Sequence, residues 1–319
     1  MDEANPERST RASLKALSEN TVIMGLAWAA AAGFVFAVLN TIMRALAIEL
    51  PPVQVLFMRY FAGAVVLLPM ILRTGPAHFR TNNLRGQLYR GVAHTAGLAL
   101  WFIALPNLPL AYTTAIGFTG PVFIMIGATL FLGERMVPAR WLAVGLGFIG
   151  VLVIVAPRLG SADGIYSLIM LGAAPLFAAS FLIAKWLTRV ERPATIVLWQ
   201  SMTVSAFSLP FALWVWTAPT PMQWLLVLLA GGLGSLGHWC LTRAYQIADI
   251  SAAQPVKFLD LVWASTLGFM IFGDVPALAT LIGGGLIVVG TIWSARRESN
   301  RRHPIQSPAA IKKQTGEAE

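Results

Sequence analysis

Two opposite charges stand three residues apart in an apolar stretch near the end of the chain. Lys257 and Asp260 belong to the run AQPVKFLDLVWASTLGFMIFGD (253–274), and on a helix this spacing puts them on one face. In a segment that crosses a membrane, each charge costs about 2.5–3.5 kcal/mol. We therefore expect this face, extended by Gln254, to line a cavity and to meet a charged or zwitterionic substrate or a proton. The alternative is a mutually neutralising pair packed between helices.

An isolated arginine, Arg59, lies about six residues into another apolar stretch, 53–72, near Gln54 and Tyr60. A guanidinium at this position can bind an anionic group of a substrate or form part of an outer gate. The alternative is an arginine whose aliphatic part lies in lipid while its charged end reaches the outer headgroups.

Two histidines, His94 and His238, lie at roughly equivalent depths in the two halves of the chain. Histidine titrates near neutral pH, so either ring can relay a proton across a buried site. The alternative is that each histidine makes one hydrogen bond between helices and has no further role.

The composition indicates which elements must hold these residues. Of 319 residues, 57% are hydrophobic and 12% are charged, and that charged share is about half the usual one. A soluble globule cannot bury so much apolar surface. The single cysteine, Cys240, excludes an intramolecular disulfide and a zinc cluster. The sequence therefore predicts an integral membrane protein, and it implies no metal, nucleotide or prosthetic group.

Ten stretches approach the length of about 20 apolar residues that a membrane-spanning helix needs. They read as helices rather than barrel strands, because runs such as Val65-Val66-Leu67-Leu68 lack the alternation of a barrel. The predicted spans are 22–43, 53–72, 88–106, 109–131, 139–156, 164–186, 194–215, 223–245, 250–272 and 277–294.

The positive charges predict the orientation of these spans. Ten spans put both termini on one side, and most of the 23 lysines and arginines then fall on that side, which the positive-inside rule assigns to the cytoplasm. One inner segment in this assignment carries Arg73, Arg80, Arg85 and Arg90. Residues 1–20 are then a cytoplasmic segment, and 296–319 a disordered cytoplasmic tail. An anionic membrane surface accounts for the net charge of +9 without nucleic acid as a partner.

The second half of the chain repeats the pattern of the first at an offset of 140 residues. Gly133-Glu134 and Gly273-Asp274 each follow a long span and precede a short glycine-rich one. We divide the chain into repeats of five spans, 21–157 and 163–295. Because five is odd, the two repeats face opposite ways, and inverted repeats with a site between them are typical of transporters.

Two pairs of runs resemble the EamA-type family of the drug/metabolite transporter superfamily. The first pair is ALPNLPLAYTTAIGFTGPVFIMIGATLFLGE (104–134) and RWLAVGLGFIGVLVIVAP (140–157), and the second is the run 253–274 with LIGGGLIVVG (281–290). The resemblance implies ten helices, both termini in the cytoplasm, and a central cavity open to one side at a time. Members that it resembles export amino acids or toxic compounds, or take up bulky metabolites such as S-adenosylmethionine or riboflavin.

Three aromatic residues lie on the spans that this resemblance places around the cavity. They are Trp101, Tyr112 and Trp263, and their rings can stack on a flat or cationic ligand. The alternative for each is packing in the protein core or against lipid.

The combined hypothesis is a secondary transporter that carries a small polar metabolite across the inner membrane by alternating access. We expect export of an amino-acid-like metabolite first, and uptake of a bulkier one such as S-adenosylmethionine or riboflavin as the alternative. An intramembrane enzyme is remote, because Ser235 lacks the glycine two residues before it and Gly273-Asp274 lacks a GxGD motif. The expected partners are the substrate and the bilayer, and a homodimer is left open.

Overall fold

The described part of the chain is built from helices. The computed structural model describes residues 6–117, 119–133, 164–248 and 259–279, with isolated positions at 145, 149, 153, 250, 281–282, 285–286 and 289. Within these ranges the regular structure is helical, without a strand. Gln254, Lys257 and most of the predicted fifth and tenth spans lie outside them.

Nine α-helices are described. Two 3-10 turns, Pro76–Phe79 and Leu105–Asn107, join some of them. The helices are α1 (Pro6–Glu49), α2 (Pro52–Thr74), α3 (Leu84–Ala104), α4 (Leu110–Gly117), α5 (Gly120–Leu132), α6 (Gly164–Leu187), α7 (Pro193–Trp214), α8 (Pro221–Ile247) and α9 (Leu259–Phe272).

Six of the nine described helices are long and apolar enough to cross a membrane. They are α1 from Met24, α2, α3 with its following turn, α6, α7 and α8, each of 22 residues or more. At 1.5 Å per residue this length covers a hydrocarbon core of about 30 Å. These six helices match the predicted first, second, third, sixth, seventh and eighth spans, while the count of ten stays a prediction.

The predicted fourth span is interrupted. α4 ends at Gly117 and α5 begins at Gly120, so Pro121 lies in the first turn of α5 instead of in the middle of one helix. Proline has no N–H to donate to the preceding turn, which favours a break at this point. The interruption places backbone beside the cavities described below.

The glycines of the two Gly-acid turns share a positive φ angle. Gly133 ends α5 with φ 72°, and Gly273 follows α9 with φ 70°. A left-handed residue directly after a helix is favourable for glycine, because it has no Cβ. Both glycines therefore end their helices in the same way, and the repeat stays a prediction.

Helices of the first half pack mainly against helices of the second. α1 contacts α8 and α9, α2 contacts α7 and α8, and α3 contacts α6 and α7. α2 and α8 approach closely at Gly231, where a Cβ would lie 2.7 Å from the Gly63 backbone nitrogen. Small residues allow such close backbone approach between membrane helices. The space between the halves is therefore walled by both.

The connections between helices lie at two opposite ends of the bundle. At one end Gln54 and Thr217 exchange two hydrogen bonds, of 2.6 and 2.8 Å. At the other, Glu191 accepts from Thr81 Oγ1 and the Asn82 backbone N–H, both at 2.6 Å. Following the predicted topology, we call the end with Gln54 the outer end and the end with Glu191 the inner end.

Arg90, which the sequence counts among the basic residues of the inner side, lies within α3 and is 1% exposed. Its guanidinium donates to the Ile196 carbonyl at 2.9 Å and to Gln200 Oε1 at 2.5 Å. These two acceptors on α7 replace water around the charge, which makes its burial tolerable.

Candidate functional site

Three adjoining cavities lie between the two halves of the bundle. Their volumes are about 210, 160 and 120 Å³, and we call them the first, second and third cavity in that order. Phe36, Asn40 and Asp260 line both the first and the second cavity. Trp101 lines all three. The shared side chains make the three spaces parts of one divided site.

Asp260 stands at the boundary between the first and second cavities. It is the second residue of α9 and faces α1 at Gly33, where any Cβ would collide with the carboxylate oxygen Oδ1. Gly33 therefore makes the room that the carboxylate occupies. The placement agrees with a cavity-lining Asp260, while Lys257 and Gln254 lie outside the described residues.

Arg59 is buried in a wall of the first cavity. It is 5% exposed, so the alternative of an arginine reaching the headgroups does not describe it. Its guanidinium carbon lies 3.8 Å from the centre of the Tyr60 ring, a cation–π contact. Gly234 makes room for it, because a Cβ there would come within 2.7 Å of the guanidinium carbon. Among the residues that the structure describes, no carboxylate pairs with Arg59.

Tyr60 joins the two predicted histidines. Its hydroxyl lies 2.8 Å from His94 Nε2 and 3.5 Å from His238 Nε2, and the imidazole centroids are 5.3 Å apart. His94 Nδ1 lies 3.0 Å from Ser180 Oγ. Residues from α2, α3, α6 and α8 therefore meet in one hydrogen-bonded group, which we call the histidine cluster (Tyr60, His94, Ser180, His238).

Gln200 connects this cluster to Arg90. Its amide nitrogen Nε2 lies 3.4 Å from His238 Nε2, and its oxygen accepts from Arg90. Each histidine thus has more than the single interhelical hydrogen bond that the sequence alternative allowed. Polar groups bonded on several sides are held in fixed orientations, which suits a wall that must present donors and acceptors to a ligand.

The three predicted aromatic residues have different surroundings. Trp101 faces the cavities, as expected. Tyr112 is 3% exposed in an apolar cluster with Met170, and its hydroxyl lies 3.1 Å from Ser167 Oγ. Trp263 packs edge-on against Phe34, with ring centroids 5.4 Å apart, and Phe34 is itself half exposed. For these last two, the packing alternative describes what the structure contains.

An ion pair joins three helices at the outer end. The Arg44 guanidinium pairs with Asp274, and Asp274 Oδ2 also accepts from the Leu110 backbone N–H at 3.1 Å. The Arg44 guanidinium carbon lies 4.3 Å from the Phe272 ring centre. Arg44 follows the cavity residue Asn40 by one helical turn on α1. We call the group of Arg44, Leu110 and Asp274 the outer clasp, and it lies on the outer side of the second cavity, which Leu110 lines.

The donor sets do not point to a metal. Within the described ranges no three His, Cys, Asp or Glu side chains come together as ligands. The residues that line the first cavity present a guanidinium, a carboxylate, two imidazoles and several aromatic rings.

Residues 23–156 and 164–296 each match the EamA-like transporter family. The chain belongs to this family. The resemblance indicated by the sequence is confirmed, and with its long apolar helices this EamA-like transporter is a multi-pass membrane protein.

Relatives of this EamA-like transporter carry three different names. A riboflavin transporter of Rhizobium johnstonii is 34% identical and covers 90% of this chain and 95% of its own. An S-adenosylmethionine uptake transporter of Rickettsia conorii is 28% identical, with 90% and 98% covered. A pseudopaline exporter of Pseudomonas aeruginosa is 26% identical, with 85% and 96% covered. The relatives agree on transport and differ in cargo and direction.

Several cavity residues of this EamA-like transporter were not predicted from the sequence. Asn40 is a polar residue inside an apolar span and Tyr60 adjoins Arg59, so both carried a signal that could have found them. Phe36 and Phe177 carried none. Phe34 and Phe36 are two residues apart on α1. Phe34 is half exposed, whereas Phe36 lines the first cavity, and the sequence alone does not distinguish the two positions.

Proposed function

We propose that this transporter carries a flat aromatic metabolite with a polar tail, riboflavin being the first candidate, into the cell by alternating access. The observation that carries the proposal is the lining of the first cavity. Phe36, Trp101 and Phe177 lie there beside Arg59 and Asp260. Rings can stack on a planar heterocycle while the charged groups bond its polar edges. This choice favours the uptake alternative over amino-acid export.

The molecule in this proposal has ten spans in two inverted repeats, 21–157 and 163–295. Residues 1–20 and the tail 296–319 lie in the cytoplasm, and the membrane is the inner one. Six long helices, the matched turns at Gly133 and Gly273, and the distribution of basic residues support this arrangement.

Cavity size supports a cycle in which the site opens and closes. Sites for drug-sized ligands have volumes of about 300–1,000 Å³, and none of the three described cavities reaches this range alone. Trp101 lines all three cavities. In our proposal, movement of the halves joins the cavities around the substrate, and the broken helix at Gly117–Gly120 accommodates the change.

Export of a zwitterionic metabolite is the second candidate. A cation and a carboxylate on one cavity, Arg59 and Asp260, also suit the two charges of an amino-acid-like compound, and one relative is named as an exporter. The number of aromatic rings around the cavity favours the flat ligand, because a small aliphatic zwitterion leaves those rings without a partner.

Transport into proteoliposomes tests the two candidates directly. The purified protein is reconstituted in vesicles and riboflavin, S-adenosylmethionine and a mixture of amino acids are supplied outside. We expect riboflavin to accumulate inside, measured by its fluorescence after filtration. Vesicles with the Trp101→Ala variant should take up much less, and those with Trp214→Ala, whose ring is 90% exposed, should match the parent. Movement of amino acids without riboflavin would overturn the proposal.

A further inference from the structure

Arg59 is a buried cation in the wall of the first cavity. The residue is 5% exposed, and within the described ranges its charge is not paired with a carboxylate. Burying an uncompensated charge is costly. A guanidinium also presents five N–H donors in a planar fork. Since Arg59 lines the first cavity, a ligand in that cavity can supply the acceptors.

The polar groups around Arg59 extend the same wall. Tyr60, His94 and His238 line the first cavity with it, and they are held together by the Tyr60 hydroxyl. This wall has a cation and fixed hydrogen-bonding groups but no acid among them. It suits the end of a ligand that is rich in acceptor atoms.

The opposite chemistry lies where the first cavity meets the second. Asp260 and Asn40 line both cavities, and Thr113 lines the second. A carboxylate, an amide and a hydroxyl can accept hydrogen bonds from hydroxyl groups of a ligand. Arg59 does not line the second cavity, so the two polar regions lie at different places along the divided site.

We propose that the site holds a flavin in one orientation: the dione edge of the ring system bonds Arg59, and the hydroxyl-rich tail passes Asp260 into the second cavity. The inference rests on the proposed function and assigns its orientation. The C4 carbonyl oxygen of the dione and the adjacent ring nitrogen N5 offer neighbouring acceptors to the guanidinium fork, while Phe36, Trp101 and Phe177 cover the ring faces. The tail hydroxyls donate to the Asp260 carboxylate.

Two ligands that share the dione edge test this orientation. Riboflavin has the dione ring and the tail, whereas lumichrome, the alloxazine form of the ring, has the dione edge without the tail. Binding to the purified protein in detergent is measured by quenching of their fluorescence. Arg59→Gln should weaken both ligands about tenfold or more, because a charge-assisted hydrogen bond is lost for both. Asp260→Asn should weaken riboflavin several-fold and lumichrome less than twofold.

Matched variants separate loss of the contact from loss of the fold. Arg85→Gln removes an exposed arginine from α3 and should bind both ligands like the parent. Gly234→Ala keeps the Arg59 charge but pushes the guanidinium from its place, so it should weaken both ligands as Arg59→Gln does. Size-exclusion profiles and thermal unfolding identify any variant that is misfolded. If Arg59→Gln is misfolded, Arg59→Lys replaces it; because this variant keeps the charge, we expect an intermediate loss of affinity for both ligands.

The outcomes distinguish the orientation from the function. A parent protein that binds neither ligand at millimolar concentration overturns the proposed function and the orientation with it. A parent that binds both, together with an Arg59→Gln variant that binds them equally well, overturns the orientation alone. An Arg59→Gln variant that weakens riboflavin but not lumichrome places the tail at Arg59 and reverses the assignment.

Discussion

At the scale of residues, the site contains polar side chains that would be unfavourable in lipid. Inside the bundle they form hydrogen bonds or line a cavity. Arg90 is buried against a carbonyl and an amide of α7, and Tyr60 holds two imidazoles in place. Arg59 lies over the Tyr60 ring and lines the first cavity, and no carboxylate pairs with it among the described residues. In our proposal this difference separates a packing residue, Arg90, from a binding residue, Arg59.

The Tyr60 hydroxyl can be removed without changing the ring. Tyr60→Phe keeps the contact with Arg59 but leaves His94 and His238 without their shared partner. We expect a loss of about 1–3 kcal/mol in the free energy of unfolding, the cost of buried polar groups left unbonded, and weaker riboflavin binding. Tyr89→Phe, at a 67% exposed position of α3, is the control. Equal denaturant midpoints for the two variants would contradict a structural role for the hydroxyl.

The sequence predicted the charged and polar residues of the site better than its aromatic residues. Arg59, His94, His238, Asp260 and Trp101 were predicted, and all five line the first cavity. A polar group in an apolar span needs an explanation, which is why it stands out. Tyr112 and Trp263 were predicted by the same rule as Trp101, but a large apolar ring is equally stable against a cavity, a core or lipid, and only the tertiary contacts decide.

At the scale of elements, six spans could be predicted because twenty consecutive apolar residues have few alternatives in a membrane. The break between α4 and α5 could not. Pro121 marked a disturbance in the fourth span, but whether proline bends a helix or ends it depends on its neighbours. Pro121 lines the second cavity and Gly120 lines the third. The break therefore places the start of α5 beside both cavities.

The outer clasp is a second connection between elements, and its strength can be measured. Arg44→Gln removes the ion pair to Asp274 that joins α1 to α9. We expect the outer end to open more often, by about tenfold for each 1.4 kcal/mol that the clasp contributes. The reporter is Thr113→Cys in the second cavity, on a background with Cys240→Ala, labelled by a membrane-impermeant thiol reagent from the outer side.

Two controls belong with the clasp experiment. Arg73→Gln removes an exposed arginine in the last turn of α2 and should leave the labelling rate of Thr113→Cys unchanged. Bound riboflavin should slow the labelling in the parent by occupying the cavity. A labelling rate that is the same with and without Arg44 would mean that the clasp only holds the fold together.

At the scale of the whole molecule, the contacts among helices make the two halves of the chain one structure. α1, α2 and α3 each pack against two helices of the second half, so neither half encloses the cavities alone. The connections at the outer and inner ends hold different pairs of helices, Glu49 with Gln223 at one and Thr81 with Glu191 at the other. A cycle that opens one end while closing the other must break one of these sets and keep the other.

Alternating access requires that the two ends face opposite compartments, and cysteine labelling in sealed cells tests this. On the Cys240→Ala background, cysteines are placed at the exposed positions Asn107 and Ala218 of the outer end, and at Ala77 and Val190 of the inner end. The positive-inside rule predicts that an impermeant thiol reagent labels the first two in intact cells and the last two only after permeabilisation. The reverse pattern would invert the molecule relative to the predicted topology. A mixed pattern within one end would contradict the grouping of the helix ends itself.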